Sequence, residues 1–375
     1  MNFVKNNKIN LIVNIKSNRI WLLKNVREVI GDKFIKIKIK NVDFITKLTK
    51  DGRFAMPKKI RKILTNDVVN IQISILKNIE RPKKFISKKG IDILAFVPNK
   101  TLSNYNILAL KENNKIKLWY STQGRPNEIK INRFIPIKIL RFLGYWQAEG
   151  GKLKLQKRRG REFNFTNKSI KIILDFLDLS KNIIDSGLWN CSIRHNPSLS
   201  NNIISKISKI LKEKGIKKIK IKPAKRIKTS VIKLWVSNSL LAETLCNATN
   251  LFRKYLIKSK IDGINEKLLI YFLQGLLAGD GSFFSKRDGN GSLHSRMFVY
   301  ESNYNFIEDY KKLLNKLGIN GLIRKEKKKN LYILTGYANW RILLTLREKE
   351  LFKFSEKNKN KIINAINNHR GYKHE

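Results

Sequence analysis

The chain has 375 residues, of which 42% are hydrophobic, so it is long enough for two or three domains with real cores and too apolar for a mostly disordered polymer. Its 79 Lys and Arg face 28 Asp and Glu, and this formal net charge of +51 repels itself unless a polyanion is bound. No apolar run approaches the roughly 20 residues of a membrane-spanning helix, so we expect neither a membrane span nor a membrane partner.

The first ten residues contain no export-signal pattern, and Cys191 and Cys246 have no metal-type spacing. We therefore expect two buried thiols and a reducing compartment. The expected location is the cytoplasm, in association with the nucleoid, with an organelle matrix as the alternative.

Residues 1–76 are predicted to form a small β-rich domain. Residues 34–40 and 68–73 alternate between apolar and polar side chains, which is typical of strands. Between them, a turn at Asp51-Gly52 is followed by Pro57, which is placed to open a short helix over residues 58–64. This order of turn, strand, proline and basic helical turn resembles the AbrB-like swapped-hairpin family over residues 42–76. The resemblance implies a second DNA contact or dimerisation, and the alternative is an unrelated small β-rich domain.

Residues 77–135 are predicted to be a basic, β-containing linker. The segment contains Pro82, Pro98 and Pro126, and its apolar runs at 91–97, 107–110 and 116–120 predict short strands.

Residues 136–375 contain an internal repeat. Phe142–Gly150 reappears as Leu273–Gly281, with a glycine, a small residue, an acid and a glycine in register. Each copy opens a predicted order of helix, strand, strand, helix, strand, strand and helix. The sequence therefore predicts an α+β fold with two pseudo-symmetric αββαββα halves, at 136–262 and 263–375. The first half is longer, and we place its insertion at residues 181–200.

The repeated motif predicts two helices that pack very closely. Gly144 and Ala148 lie four positions apart, as do Gly275 and Gly279, so each pair falls on one helical face and removes bulk from it. The acids Glu149 and Asp280 follow directly, and close packing would bring both carboxylates to neighbouring helix C-termini.

Two carboxylates at helix C-termini repel each other and the helix dipoles. A hard divalent cation relieves this conflict, because Mg²⁺ or Mn²⁺ binds carboxylate and carbonyl oxygens and keeps phosphate and water ligands. Glu149 and Asp280, with the carbonyls of Ala148 and Gly279, are therefore candidate metal ligands. Such a site fits metal-assisted phosphodiester hydrolysis.

At this point residues 136–370 resemble the LAGLIDADG homing endonucleases. The second motif copy matches well, whereas the first has Glu149 in place of the more usual Asp, and Gln147 and Ala278 occupy a position that is often acidic. The resemblance implies that Glu149 and Asp280 hold the metals. It also implies that the strands after each helix form a saddle in the DNA major groove. Lys233 resembles in position a basic residue of the family's cleavage pocket.

The two hairpins after the motif helices are rich in residues that contact phosphates and base edges. The candidate DNA-binding residues are Lys152, Lys154, Gln156, Lys157, Arg158, Arg159 and Arg161 in the first half, and Ser285, Lys286, Arg287 and Arg296 in the second. Double-stranded DNA is the expected partner. The endonuclease core is expected to be a monomer, with a dimer as an option through the N-terminal domain.

Three functions remain open on the sequence. The first is a Mg²⁺-dependent, site-specific DNA endonuclease. The second is a non-catalytic DNA-binding regulator on the same fold, because helix packing needs the glycines but not the metals. The third is an RNA-binding intron maturase, which high positive charge would serve equally well.

Overall fold

The computed structural model describes residues 8–14, 19–48, 53–56, 60, 68–122, 125–150, 162–289, 292–326 and 330–369. The chain divides into two compact units, one of residues 1–83 and 98–131 and the other of residues 84–97 and 132–375. Residues 77–135, which we predicted to be a linker, thus contribute to both units. Within the described ranges, no helix is both long enough and apolar enough to cross a membrane.

The first unit contains an antiparallel sheet in the order β1-β6-β3-β4. Its strands are β1 (Lys8–Asn14), β3 (Phe34–Ile39), β4 (Val42–Lys47) and β6 (Val68–Leu76). Helix α1 (Lys24–Ile30) and the pair β2 (Arg19–Trp21) and β5 (Arg53–Ala55) complete this part. The predicted strands at 34–40 and 68–73 are confirmed. The predicted turn at Asp51-Gly52 and the helix at 58–64, except Ile60, lie outside the described residues.

A second sheet of the same unit has the order β11-β10-β9. It consists of β9 (Leu108–Glu112), β10 (Lys115–Thr122) and β11 (Arg125–Asn132), whose last residue falls in the other unit. Leu108 and Trp119 pack against Phe34 of the first sheet, and the rings of Phe34 and Trp119 meet edge to face at 5.6 Å. Through this small cluster the two sheets pack against each other.

The second unit begins with a small sheet of β7 (Ile86–Ser87), β8 (Gly90–Asp92) and β12 (Phe134–Ile135). The strand predicted at 91–97 is wrong beyond Asp92, because residues 93–96 form a 3₁₀ turn. The Asp92 carboxylate accepts a hydrogen bond from the amide of Leu94 and two from the guanidinium of Arg133. These bonds cap the turn and end the strand.

The two halves follow in chain order. The first half contains α2 (Ile139–Glu149), β13 (Phe163–Asn167), α3 (Ile170–Ser180), β14 (Asn190–His195), α4 (Asn201–Glu213), β15 (Lys218–Pro223), β16 (Ser230–Val236) and α5 (Ser239–Lys258). The second half contains α6 (Gly263–Asp280), β17 (Gly281–Arg287), β18 (Leu293–Glu301), α7 (Tyr304–Asn315), β19 (Gly321–Glu326), β20 (Leu331–Tyr337), α8 (Trp340–Glu348) and α9 (Glu356–Asn367). The α+β prediction is confirmed.

The sheets of the two halves have the orders β13-β16-β14-β15 and β17-β18-β20-β19. They correspond when β13, β16 and β14 are matched to β18, β20 and β19. The extra elements of the first half are then α4 and β15, between β14 and β16, so the insertion predicted at 181–200 is misplaced. Strand β15 is parallel to β14. A parallel neighbour requires a crossover connection, and α4 supplies it.

An aromatic core supports the first motif helix. Phe142 of α2 stacks on Phe163 of β13 and on Phe176 of α3, at ring distances of 5.6 and 4.4 Å. The Cys191 thiol lies in the same half and is fully buried and free. Burial raises its pKa to about 12, so this thiol is unreactive at neutral pH.

Candidate active site and nucleic-acid interface

Helices α2 and α6 cross at Gly144 and Gly275 with their backbones in contact. A Cβ added at Gly144 would overlap the carbonyl oxygen of Phe272 and lie 2.9 Å from the amide nitrogen of Leu276. A Cβ added at Gly275 would overlap the carbonyl of Arg141 and lie 2.7 Å from the amide nitrogen of Tyr145. The obstructing atoms are backbone, so no side-chain rotation makes room. The crossing therefore requires glycine on both helices.

The same close approach continues to the helix ends. A Cβ added at Gly279 would lie 2.6 Å from the Cβ of Ala148 and 2.9 Å from the Cγ of Glu149. Glu149 is the last residue of α2, and Asp280 is the last residue of α6. The acid of one helix thus touches the residue that precedes the acid of the other. The structure therefore brings together, along one helix contact, the six residues singled out in the motifs, namely Gly144, Ala148, Glu149, Gly275, Gly279 and Asp280.

Glu149 is partly buried beside the end of β13. Its carboxylate accepts a long hydrogen bond, 3.4 Å, from the side-chain amide of Asn167. Burial raises the pKa of Glu149 above its usual range, and the positive charge of Lys168 acts in the opposite direction. Lys168 was not among the predicted site residues. A carboxylate with a raised pKa is held in an environment that disfavours its charge, which is the situation that a bound cation relieves.

Replacing Glu149 with Gln is expected to raise the melting temperature at pH 7.5 in EDTA. The folded state disfavours the Glu149 charge, so the wild type is most stable below the unfolded-state pKa and loses stability as the pH rises through the higher folded-state pKa. Gln has no charge to bury and keeps an acceptor for Asn167. Thermal melts from acidic to neutral pH should show that the difference in melting temperature between Glu149→Gln and the wild type becomes smaller as the pH falls.

Glu213→Gln is the matched control. Glu213 is also the last residue of a helix, but its side chain is exposed. The substitution therefore removes a charge from the same helical position where burial does not destabilise that charge. Its melting temperature should change less than that of Glu149→Gln. A lower melting temperature for Glu149→Gln at neutral pH would contradict a destabilising carboxylate at this position.

A buried arginine links the end of the first motif helix to the second half of the protein. Arg253 of α5 is 4% exposed, and its Nε donates to Asp309 Oδ2 of α7 at 2.9 Å. Its Nη1 donates to Oε1 of Gln147 at 2.8 Å, and its guanidinium lies 4.1 Å from the centre of the Phe306 ring. Arg253 thereby fixes the residue two positions before Glu149. Sequence reasoning missed Arg253, because nothing local indicates which distant acid a helical arginine will meet.

The charge of Asp280 also acts on a buried tyrosine. Tyr310 of α7 is fully buried and donates to Glu301 Oε2 at 3.3 Å. Burial, Glu301 and Asp280, in that order, raise the pKa of Tyr310 well above its usual value. The phenol is therefore neutral and serves as a hydrogen-bond donor beside the second acid.

Lys233 lies on the partly exposed face of the first-half sheet. Its Nζ is 2.6 Å from Glu162 Oε1 and 5.6 Å from the centre of the Trp235 ring. It pairs in register with Thr166 and Ser192 on the neighbouring strands. The ion pair with Glu162 was not predicted, since it joins residues 71 positions apart.

The candidate DNA-binding residues of the second hairpin divide between the two faces of the sheet. Lys286 is exposed, and the Arg296 guanidinium lies 5.0 Å from the centre of the Tyr337 ring on the same face. Ser285 and Arg287 lie on the opposite face, where Ser285 bonds to Ser295. Arg287 donates there to Asn368 at the end of α9. Strand alternation therefore removes Ser285 and Arg287 from the face that carries Lys286 and Arg296.

The candidate residues of the first hairpin, Lys152, Lys154, Gln156, Lys157, Arg158, Arg159 and Arg161, lie outside the described residues. Their proposed role stays a prediction. In the part of the chain that the structure describes, no group of three or more His, Cys, Asp or Glu could hold a metal ion. Any cation at the motif helices would therefore rely on Glu149, Asp280 and backbone oxygens.

Residues 267–358 match the family model of the LAGLIDADG-like domain. No curated protein matches the chain. Among solved structures, mesophilic variants of the homing endonuclease I-DmoI are 19% identical, with a TM-score of 0.31, over 58% of this chain and 88% of theirs. A structure of I-DmoI with DNA and Mn is 19% identical, with a TM-score of 0.31, over 60% of this chain and 96% of that one. Full-length DUF199/WhiA from Thermatoga maritima is 17% identical, with a TM-score of 0.34, over 61% of this chain and 60% of that one.

The chain carries a LAGLIDADG-like domain, and the match begins inside α6 and ends inside α9. The resemblance drawn from the paired motifs is thereby confirmed for the second half. The similarities to solved structures are too low to add to this family match. The first half carries its own copy of the motif, and this copy packs against α6.

Proposed function

We propose that this protein is a site-specific double-stranded DNA endonuclease, of the homing type, whose divalent metals are held by Glu149 and Asp280. The observation that carries the proposal is the crossing of α2 and α6. Backbone contact at Gly144 and Gly275 leads directly to two acids at adjacent helix ends. Close packing alone needs the glycines, whereas an acid at both ends is expected only where a cation is bound.

The donor atoms at this place suit a hard cation. Two carboxylates and the last-turn carbonyls of Ala148 and Gly279 are all oxygen ligands, and the last carbonyls of a helix have no partner within it. Mg²⁺ or Mn²⁺ fits such a set, because these ions take few protein oxygens and keep water and phosphate as the remaining ligands. When bound, the cation neutralises charge on the scissile phosphate and lowers the pKa of water.

The remaining roles belong to the chain itself. Asn167 orients the Glu149 carboxylate, and Arg253 fixes the end of α2 through Gln147. Lys233 is a partly exposed cation near the sheet surface, and a phosphate oxygen can replace Glu162 as its partner. The net charge of +51 supplies the general attraction for the DNA backbone. The core acts as a monomer in this proposal, and the N-terminal unit, with its AbrB-like segment, supplies a second DNA contact or a dimer interface.

The experiment that tests the proposal is cleavage of a randomised duplex library in Mg²⁺ or Mn²⁺, followed by sequencing of the cut ends. Discrete cuts at one family of long, asymmetric sites are expected, since the two halves have different sheets. The Glu149→Gln/Asp280→Asn double variant provides the background. Cuts that persist in the double variant would assign the activity to a contaminant or to another site.

The non-catalytic regulator is the second candidate, and one observation favours it. The positions of Gln147 and Ala278 lack acids, and Gln147 is instead engaged by the buried Arg253. Selective retention of a duplex in EDTA, with no cuts in Mg²⁺ or Mn²⁺, would support the regulator over the endonuclease. Retention of structured RNA in preference to duplex DNA would instead support an intron maturase.

A further inference from the structure

The outward face of the second-half sheet carries side chains in rows across its strands. Cross-strand partners in an antiparallel sheet share a face, so the register identifies each row. The first row contains Ser282, Phe298, Thr335 and Leu322, the second contains Phe284, Arg296 and Tyr337, and the third contains Tyr300, Ile333 and Arg324. The alternate residues Phe283, Met297, Val299 and Leu334 are at most 1% exposed. The rows therefore lie on the face that the core does not cover.

Large apolar side chains are exposed on this face, beside Arg296, Arg324 and the further cross-strand pair Lys286 and His294. Leu322 is 54% exposed, Tyr337 is 51% exposed and Phe284 is 44% exposed. The face also begins at the active site, because Ser282 follows Asp280 by two residues on β17. Large apolar side chains grouped on one exposed face are characteristic of a binding surface.

The corresponding face of the first-half sheet is polar. Its rows contain Thr166, Lys233, Ser192 and Lys220, and then Asn164, Trp235, Asn190 and Lys218. Amides, hydroxyls and amines of this kind exchange hydrogen bonds with base edges and phosphates. The two halves therefore present different chemistry to the two halves of a duplex.

We propose that the second-half sheet reads thymine, through contacts between its apolar rows and the thymine C5-methyl groups in the major groove. This inference rests on the proposed function, and it takes the duplex bound at Asp280 to lie with its major groove against this face, which continues from that residue along β17. Thymine is the base with a methyl group on its major-groove edge, and Phe and the Thr methyl are typical partners for it. Phe284, Leu322 and Thr335 are the residues that select it. The DNA half-site under this sheet is accordingly rich in thymine near the cleavage position.

Stacking on unpaired bases is the other use of an aromatic face, and two observations weigh against it. The Arg296 guanidinium lies over the Tyr337 ring at 5.0 Å, so that ring face is covered. Leu322 and Ile333 stand in the same rows and have no π face to offer a base. Aliphatic side chains between the aromatic ones suit methyl groups better than flat bases.

The test uses a duplex recovered from the randomised library by retention on the protein, with thymine replaced by deoxyuridine in one half-site at a time. Deoxyuridine lacks the methyl group and keeps the base pairing. The half-site under the second sheet is identified by ethylating the DNA phosphates and measuring which ethylated positions prevent binding. Phosphates that no longer matter for the Lys286→Ala variant lie beneath that sheet. There, each lost methyl contact should raise Kd about fourfold. In the other half-site, the same replacement should change Kd less than twofold.

Variants connect the effect to the named side chains. Phe284→Ala/Leu322→Ala should bind thymine and deoxyuridine duplexes about equally in the second half-site. Both side chains are substantially exposed, so the fold should tolerate the change. The control for a loss of exposed aliphatic surface is Ile221→Ala, which is 48% exposed on β15, the edge strand of the first-half sheet, in register with the buried Ile193 and Ile232 and so on the opposite face from the polar rows. It should keep the full preference for thymine.

The outcomes separate this inference from the function on which it rests. A selected duplex with no deoxyuridine effect, or with equal effects in both half-sites, overturns the thymine proposal and leaves the endonuclease in place. Single-stranded oligonucleotides bound more tightly than any duplex also overturn it, and they assign the aromatic rows to base stacking. No duplex retained from the library at all would overturn the proposed function itself.

Discussion

Asp280→Asn is expected to abolish double-strand cleavage while leaving DNA affinity within a few-fold of the wild type. Asn keeps the size of the side chain but loses the charge that would bind the cation under the proposed function. A bound metal contributes several kcal/mol of transition-state stabilisation, and each 1.36 kcal/mol is a factor of ten in rate. The rate should therefore fall by about 10³-fold or more. The measurement is conversion of a plasmid that carries the selected site into its linear form, with Kd measured in parallel.

Asp262→Asn is the matched control, since it makes the same substitution at the opposite end of the same helix. Asp262 is the residue before α6 and is exposed, and Asn is equally suited to that position. Its cleavage rate should equal that of the wild type. If Asp280→Asn cuts normally, the acid is not a metal ligand. If it loses DNA binding and melting temperature together, the acid is structural.

Gly275→Ala should be the most destabilising single-methyl change at the helix crossing. The added Cβ meets the backbone of Arg141 and Tyr145, so α2 and α6 must move apart. Forcing extra bulk into a packed interior costs about 1–3 kcal/mol and occasionally more. For a domain of this size, that corresponds to a loss of roughly 2–12 °C in melting temperature. Cleavage should be lost too, because the two acids separate with the helices.

Gly289→Ala provides the comparison for the same chemical change. Gly289 follows β17 and has no atom within 4 Å of an added Cβ. Its substitution should alter stability by no more than about 0.5 kcal/mol, as is usual for surface positions. Differential scanning calorimetry of both variants is sufficient. Equal melting temperatures of the Gly275→Ala and Gly289→Ala variants would contradict backbone contact between α2 and α6.

The motif helices could be predicted from the sequence because their signal is local. Two small residues four positions apart and an acid at the end define both the packing face and the site, and a second copy repeats the pattern. Strands β17 and β18 could also be predicted, because they follow the second motif helix directly and alternate between apolar and polar residues. Short-range periodicity was enough for these elements.

The parts that could not be predicted depend on distant partners. Strand β15 was missed because its lysines look like a solvated run until β14 pairs with it. The links from Arg253 to Asp309 and from Lys233 to Glu162 join residues 56 and 71 positions apart. The outward apolar rows were missed for a related reason. Each row takes one residue from each strand, so it is contiguous only after the sheet has formed.

The crossing of α2 and α6 also sets the time during synthesis at which the two acids can first meet. The helix ends that meet there belong to residues 131 positions apart, and the second acid is made late in synthesis. A nascent chain that has reached Ser259 contains Glu149 and the Gly144 face of α2, but not yet Gly275, Gly279 or Asp280. Synthesis proceeds at about 5–20 residues per second, and domains fold largely in that order. For several seconds the chain therefore holds one acid of the pair without the other, and under the proposed function cleavage must wait until the second half has folded against α2.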